Sequence, residues 1–130
     1  MKLYTLEEAR ALLPEVIPTV TRLRDAYVEL RARRATFAAE TRGASGDGQL
    51  LANPWEKGDE TRLERMGEQL KQSAEALERW GIEVKDPERG LIDFYSEREG
   101  RTVYLCFLLG EHDIEYWHEL AGGFAGRQAL

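Results

Sequence analysis

Asp93, Cys106, Glu111 and His118 are the residues of this chain best equipped to do chemistry. Carboxylate, thiolate and imidazole are all competent ligands for zinc or iron, and the four together span the donor types such ions accept. They fall in the last third of the sequence, which also holds both histidines and the single cysteine. Spacing adds less, because there is no C-x-x-C, no H-E-x-x-H and no ligand pair at a fixed short interval. Two readings therefore stand side by side: a metal centre, or a set of buried, hydrogen-bonded side chains.

Asp93 is the most demanding of the four. It lies within the apolar run Leu91 to Phe94, and a buried carboxylate must have a partner. Arg89, Arg127 and His118 are the candidates, and Asp93, His118 and Arg127 are expected to meet in one polar cluster. His118, between Trp117 and Glu119, reads either as a base or as a structural histidine held by a carboxylate. Cys106 sits in an apolar strand and is a small buried hydrophobe unless a nearby cation lowers its pKa. Glu115 and His118 have the Glu-x-x-His spacing of di-metal helical bundles, although a symmetric dimer would be needed for a second copy. His112 reads as an exposed helix-start residue.

The segment Gly122 to Arg127 could wrap an anion, with glycines exposing backbone N–H groups and Arg127 as a cofactor-binding fork. The competing reading is a C-terminal tail that folds back with Phe124 as its plug. No nucleophile, base and acid set with a recognised local context surrounds Ser45, Ser73 or Ser96.

The elements that must position these residues begin with Thr5 and Glu8, a capping-box pair ahead of Leu6, Ala9, Leu12 and Leu13. A short first helix is expected to end near Leu13, with Pro14 opening a second helix and Pro18 bending it. Leu13, Val16, Val20, Leu23, Tyr27, Leu30, Arg34 and Phe37 keep one seam on that helix. Leu63, Met66, Leu70, Ser73, Leu77 and Trp80 keep another, which Gly81 stops.

Joined through the glycine-rich stretch 43–48, the two seams predict an antiparallel pair in which Phe37 faces Leu63 and Tyr27 faces Ser73. Residues 41–58 read as a mobile connection with Trp55 as an anchor. Beyond Gly81 the period changes to two. Ile82 and Val84, Leu91 to Tyr95, and Thr102 to Leu108 predict a three-stranded meander that turns at Glu99-Gly100 and packs Val103, Leu105, Phe107 and Leu109 on the helices. A short helix is expected from about His112 to Leu120.

The chain has 130 residues, 24 acidic and 18 basic, for a formal charge of -6, which disfavours a phosphate backbone as partner. Arg22, Arg24, Arg31, Arg33 and Arg34 share a helix, but Asp25 and Glu29 interrupt them and no aromatic platform accompanies them, so nucleic-acid binding is not expected. No apolar run approaches the roughly 20 residues that span a bilayer. One cysteine forms no internal disulfide, and Met1 to Val16 lacks the pattern of a secretory signal, so the expected compartment is the cytoplasm.

Several segments also carry a family resemblance. They are Thr5-Leu-Glu-Glu-Ala with Leu12-Leu-Pro, Glu83-Val-Lys-Asp with Gly90-Leu-Ile-Asp-Phe, Tyr104-Leu-Cys, Gly110-Glu, Trp117-His-Glu-Leu and Gly123-Phe-Ala-Gly-Arg-Gln. Together they resemble a bacterial family defined as a domain of unknown function, DUF2203, over nearly the whole chain. Phe107 stands where that family often has tryptophan, and His112 where it often has proline. The resemblance implies a small cytoplasmic protein and no particular activity.

The resulting expectation is one α+β domain over residues 1–130. A helical hairpin occupies 14–80, and a three-stranded antiparallel sheet, a short C-terminal helix and a tail occupy 82–130. The leading functional reading is a binding or interaction protein, with a homo-oligomer or a protein partner covering the hairpin. The rival is a metal-binding protein or metal-dependent enzyme using Asp93, Cys106, Glu111 and His118, with zinc or iron as the cofactor.

Overall fold

The computed structural model describes the backbone of residues 1–43 and 57–130, and side chains over 1–36 and 60–130. The glycine-rich connection, Trp55 and the Phe37 side chain lie outside the described residues. Helix α1 spans Leu6–Gly43 and α2 spans Lys57–Arg79. Five strands follow: β1 Ile82–Asp86, β2 Leu91–Arg98, β3 Arg101–Leu108, β4 Tyr116–Glu119 and β5 Gln128–Ala129. The class is α+β. No helix among the described residues is long and apolar enough to cross a membrane.

The capping box forms as the residue types require. Thr5 donates its backbone N–H to Glu8 Oε1 at 2.8 Å, and Glu8 donates its own to Thr5 Oγ1 at 3.0 Å. The expected break at Leu13 does not occur, because Pro14 and Pro18 both lie inside one continuous α1. Each proline removes a rung of the ladder, at a cost of about 3 kcal/mol in an unsupported helix. Ala9, Leu13, Val16, Val20 and Leu23 are all buried in the core along this stretch, and that packing holds the helix through both interruptions.

The hairpin register also differs from the seam-matched one. Gln69 Nε2 donates to the Arg22 carbonyl at 3.1 Å, and Arg62 pairs with Glu29. Ser73 therefore lies across a cavity from Thr19, not opposite Tyr27. Gly81 stops α2 with φ 74°, its N–H donating to the Glu78 carbonyl at 2.9 Å.

The sheet is antiparallel throughout, in the order β1-β2-β3-β4-β5. Glu99 and Gly100, with φ of 51° and 78°, make the tight two-residue turn between β2 and β3. One face carries Ile82, Ile92, Phe94, Val103, Leu105, Phe107 and Trp117 into a core shared with α1 and α2, with Leu109 partly buried against it. The sheet has five strands where three were expected. The predicted helix from His112 to Leu120 is replaced by β4, leaving only a 3-10 turn at Phe124–Gly126. Strand β4 completes the sheet by pairing with β3, Leu105 opposite Trp117 and Tyr104 opposite His118. The aromatic residues of β4 suit that extended pairing better than a helix.

Candidate functional site

The opposite face of the sheet is polar where the register brings the strands together. Asp93 of β2 pairs with Cys106 of β3, and Tyr104 of β3 pairs with His118 of β4, so three adjacent strands direct their side chains to one spot. Asp93, Cys106 and His118 are buried, at 1%, 0% and 2% exposure. Their donor atoms all lie within 4.8 Å of one another. This trio meets on the face turned away from the helical core.

The imidazole is held from both ends. His118 Nδ1 lies 2.8 Å from the backbone oxygen of Glu119, and a carbonyl can only accept, so Nδ1 carries a hydrogen. Nε2 lies 3.1 and 3.0 Å from the two carboxylate oxygens of Asp93. In the absence of an ion, a proton must sit between Nε2 and the carboxylate, since a bare lone pair there would face negative oxygens. Burial raises the Asp93 pKa, opposed by the His118 charge and by contact with Cys106 and His118. Burial also pushes the Cys106 thiol up to about 12, helped by the Asp93 charge and opposed by Arg127. Cys106 is therefore a neutral thiol without an ion, and the carboxylate, not the imidazole, is the group that acts on it. That arrangement does not make a thiol nucleophile.

Glu111 does not join the trio. Its carboxylate accepts from Arg127 Nη2 at 2.6 and 2.8 Å and from the Leu108 backbone N–H at 2.7 Å. Arg127 reaches Glu111 from the C-terminal tail, lying over the rings of Tyr116 at 4.1 Å and Phe124 at 4.8 Å. Its charge acts on Cys106, while its Nε is buried with no hydrogen-bond partner. Of the expected cluster, Asp93 and His118 meet directly, and Arg127 adjoins them through Cys106. Arg89 holds Asp86 at 2.8 Å instead of Asp93.

The tail does fold back, since Gln128 and Ala129 pair with β4, but Phe124 remains 39% exposed and is not a buried plug. Arg127 takes the inner position. Because β4 is a strand, Glu115 and His118 do not share a helical face, and the di-metal bundle reading falls.

A second polar group, missed in the sequence, borders the trio. Tyr104, whose ring centre is 5.3 Å from that of His118, donates to Glu83 Oε2 at 2.9 Å, and Tyr95 also donates to Glu83. Lys85 pairs with the same carboxylate and lies 4.4 Å from the centre of the Tyr104 ring. These residues hold Glu83 below its ordinary carboxylate pKa, Lys85 first and Tyr95 next. Only the strand register reveals the group, since Glu83 pairs with Asp93 across β1 and β2.

A protein-family model described as an uncharacterized conserved protein, DUF2203, matches residues 2–130. The chain belongs to that family. In this DUF2203 protein the match takes in both helices, the sheet and the tail that carries Arg127. No curated protein and no solved structure gives a match.

Proposed function

We propose that this is a small metal-binding protein whose ion, zinc or ferrous iron, is held by Asp93, Cys106 and His118. The observation that supports this reading is the convergence of three unlike donors, buried together on the sheet face away from the core. A tetrahedral zinc with bonds of about 2.0–2.3 Å spaces its donors by roughly 3.3–3.8 Å, which small side-chain shifts would provide here. The second contact of the imidazole supports it further, because a ligating histidine commonly donates its other N–H to a carbonyl or carboxylate. Glu119 supplies that carbonyl.

Three protein ligands leave one coordination position for water or another ligand, the arrangement associated with catalytic sites. Arg127, with its charge balanced by Glu111, stands beside the sulfur and favours the thiolate that a metal requires. The interaction reading has less behind it, since exposed apolar residues such as Val28 on α1 are ordinary surface features when they stand singly.

Elemental analysis of protein purified without an affinity tag tests the proposal. After reconstitution with zinc or ferrous iron and exhaustive dialysis, about one ion per chain is expected, lost in Asp93→Asn, Cys106→Ser and His118→Gln. Full retention of metal by all three variants, or none bound by the parent, would reject it.

A further inference from the structure

A second site lies between the helices, on the far side of the core from the trio. The α1 and α2 seams should interlock there, yet Thr19 and Ser73 are small and polar, and they open a cavity of about 350 Å³. A volume of this size is within the range of small-ligand pockets. Ser73 is 4% exposed, and its hydroxyl has no hydrogen-bond partner among the described residues. The Thr19 hydroxyl already donates to the Glu15 carbonyl at 3.1 Å and accepts from Arg22 Nη2 at 3.3 Å.

The arginines of this cavity are unlike most others in the chain. Arg10, Arg31, Arg89, Arg101 and Arg127 each hold a carboxylate, as expected in a chain with an acidic excess. Arg22 and Arg65 both line the cavity, and neither forms an ion pair among the described residues. The one carboxylate in the lining, Glu68, accepts from Gln72 Nε2 at 3.1 Å. Two guanidinium groups with no carboxylate partner among the described residues and the hydroxyl of a buried serine thus line one space between two helices.

We infer that this cavity binds a small phosphate-bearing molecule, with Arg22 and Arg65 clamping the oxyanion and Ser73 donating from the floor. Guanidinium groups present paired N–H donors that match phosphate oxygens, and the hydroxyl supplies a further donor at a place where packing alone would favour an apolar side chain. The site is separate from the metal trio and does not depend on it.

Amide chemical-shift titration of the full chain with inorganic phosphate, at constant ionic strength set by sodium chloride, tests the inference. Saturable shifts are expected at Thr19, Arg22, Gln69 and Ser73. Arg22→Gln and Arg65→Gln should each weaken binding by about tenfold or more, as expected for loss of a charge-assisted hydrogen bond. Ser73→Ala should weaken it less, and Arg79→Gln, which removes an exposed arginine outside the cavity, should leave it unchanged. Glycerol phosphate in a parallel titration separates an ester from free phosphate, the tighter ligand being the better mimic. Absence of saturable shifts at these residues with either probe, or equal losses in the Arg79 variant and the two cavity variants, would overturn the assignment.

Discussion

His118 and Asp93 share one buried proton: Nε2 lies 3.0 and 3.1 Å from the carboxylate oxygens while Nδ1 is committed to the Glu119 carbonyl. Whether that proton is drawn on nitrogen or oxygen, the pair has the same proton count. Its partners, not its charges, define it.

The first prediction separates loss of charge from loss of a partner. Asp93→Ala leaves Nε2 of the buried imidazole without its partner and should cost about 3–5 kcal/mol in the metal-free protein. Asp93→Asn should cost only about 1–2 kcal/mol, because the amide N–H can donate to Nε2 with no shared proton. Urea unfolding of the two variants measures the difference. Equal losses would show that the carboxylate charge itself is required.

A second prediction concerns Cys106, buried completely and with its pKa pushed up to about 12. At pH 8 the native, metal-free thiol should resist alkylation, whereas the unfolded chain reacts as an ordinary thiol of pKa about 8.5. Mass spectrometry after timed iodoacetamide treatment, with and without urea, provides the comparison. Rapid native labelling would mean that the trio opens readily.

Glu83 and Asp93 should have opposite effects on pH stability. Glu83, depressed by Lys85 and then by Tyr95, contributes stability that is present above its ordinary pKa of about 4.3 and lost as pH falls through its lower folded value. Asp93, raised mainly by burial, holds more protons in the folded chain and so reduces stability as pH rises from its ordinary value through the raised one. Glu83→Gln should therefore flatten the acid side of a thermal stability profile, by less than about 1 kcal/mol because the carboxylate is partly solvent-screened. An unchanged acid limb would remove Glu83 from the account.

Much of this arrangement was legible in residue types, and the failures have particular physical causes. The Thr5 and Glu8 cap, the Gly81 stop and the Glu99-Gly100 turn are local devices whose partners lie within a few residues. Asp93 stands out because a carboxylate is costly in an apolar strand, and Cys106 and His118 because thiolate and imidazole are metal-ligand types. Glu111 shares their donor chemistry, but its carboxylate turns to Arg127 and to the Leu108 backbone N–H, partners that no local pattern announces. Strand β4 has Trp117 buried on one face and His118 on the other, so it shows no alternation to betray it. Continuity of α1 through Pro14 and Pro18, and the true partner of Ser73, depend on packing between distant segments that no local pattern contains.

The Arg127–Glu111 pair should be coupled to the proposed metal site. Both side chains are largely buried, at 11% and 18% exposure, so Arg127→Met leaves a carboxylate without its cation and should destabilise the chain by about 2–4 kcal/mol. Glu111→Gln in the same background should recover part of that loss, the signature of a direct pair in a double-mutant cycle. Zinc affinity should fall in Arg127→Met even where stability is recovered, because the cation beside Cys106 is gone. Recovery of both quantities together would confine Arg127 to a structural role.

The last prediction concerns the protons that metal binding must displace. The metal-free trio holds one proton between His118 and Asp93 and another on the Cys106 sulfur, and an ion bound to Nε2, the carboxylate and the thiolate takes the place of both. Burial raises the Asp93 carboxyl and pushes the Cys106 thiol up to about 12, so zinc affinity should climb with pH, by up to about two decades per unit, one for each proton displaced. Calorimetric titrations in buffers of differing ionisation enthalpy should report close to two protons released per zinc. In Cys106→Ala, any residual binding should release about one. Thermal denaturation gives an independent check, since zinc at about 100 times its dissociation constant stabilises the folded chain by about 2.7 kcal/mol, and a chelator should reverse the gain. Binding with no proton release would place the ion somewhere other than Asp93, Cys106 and His118.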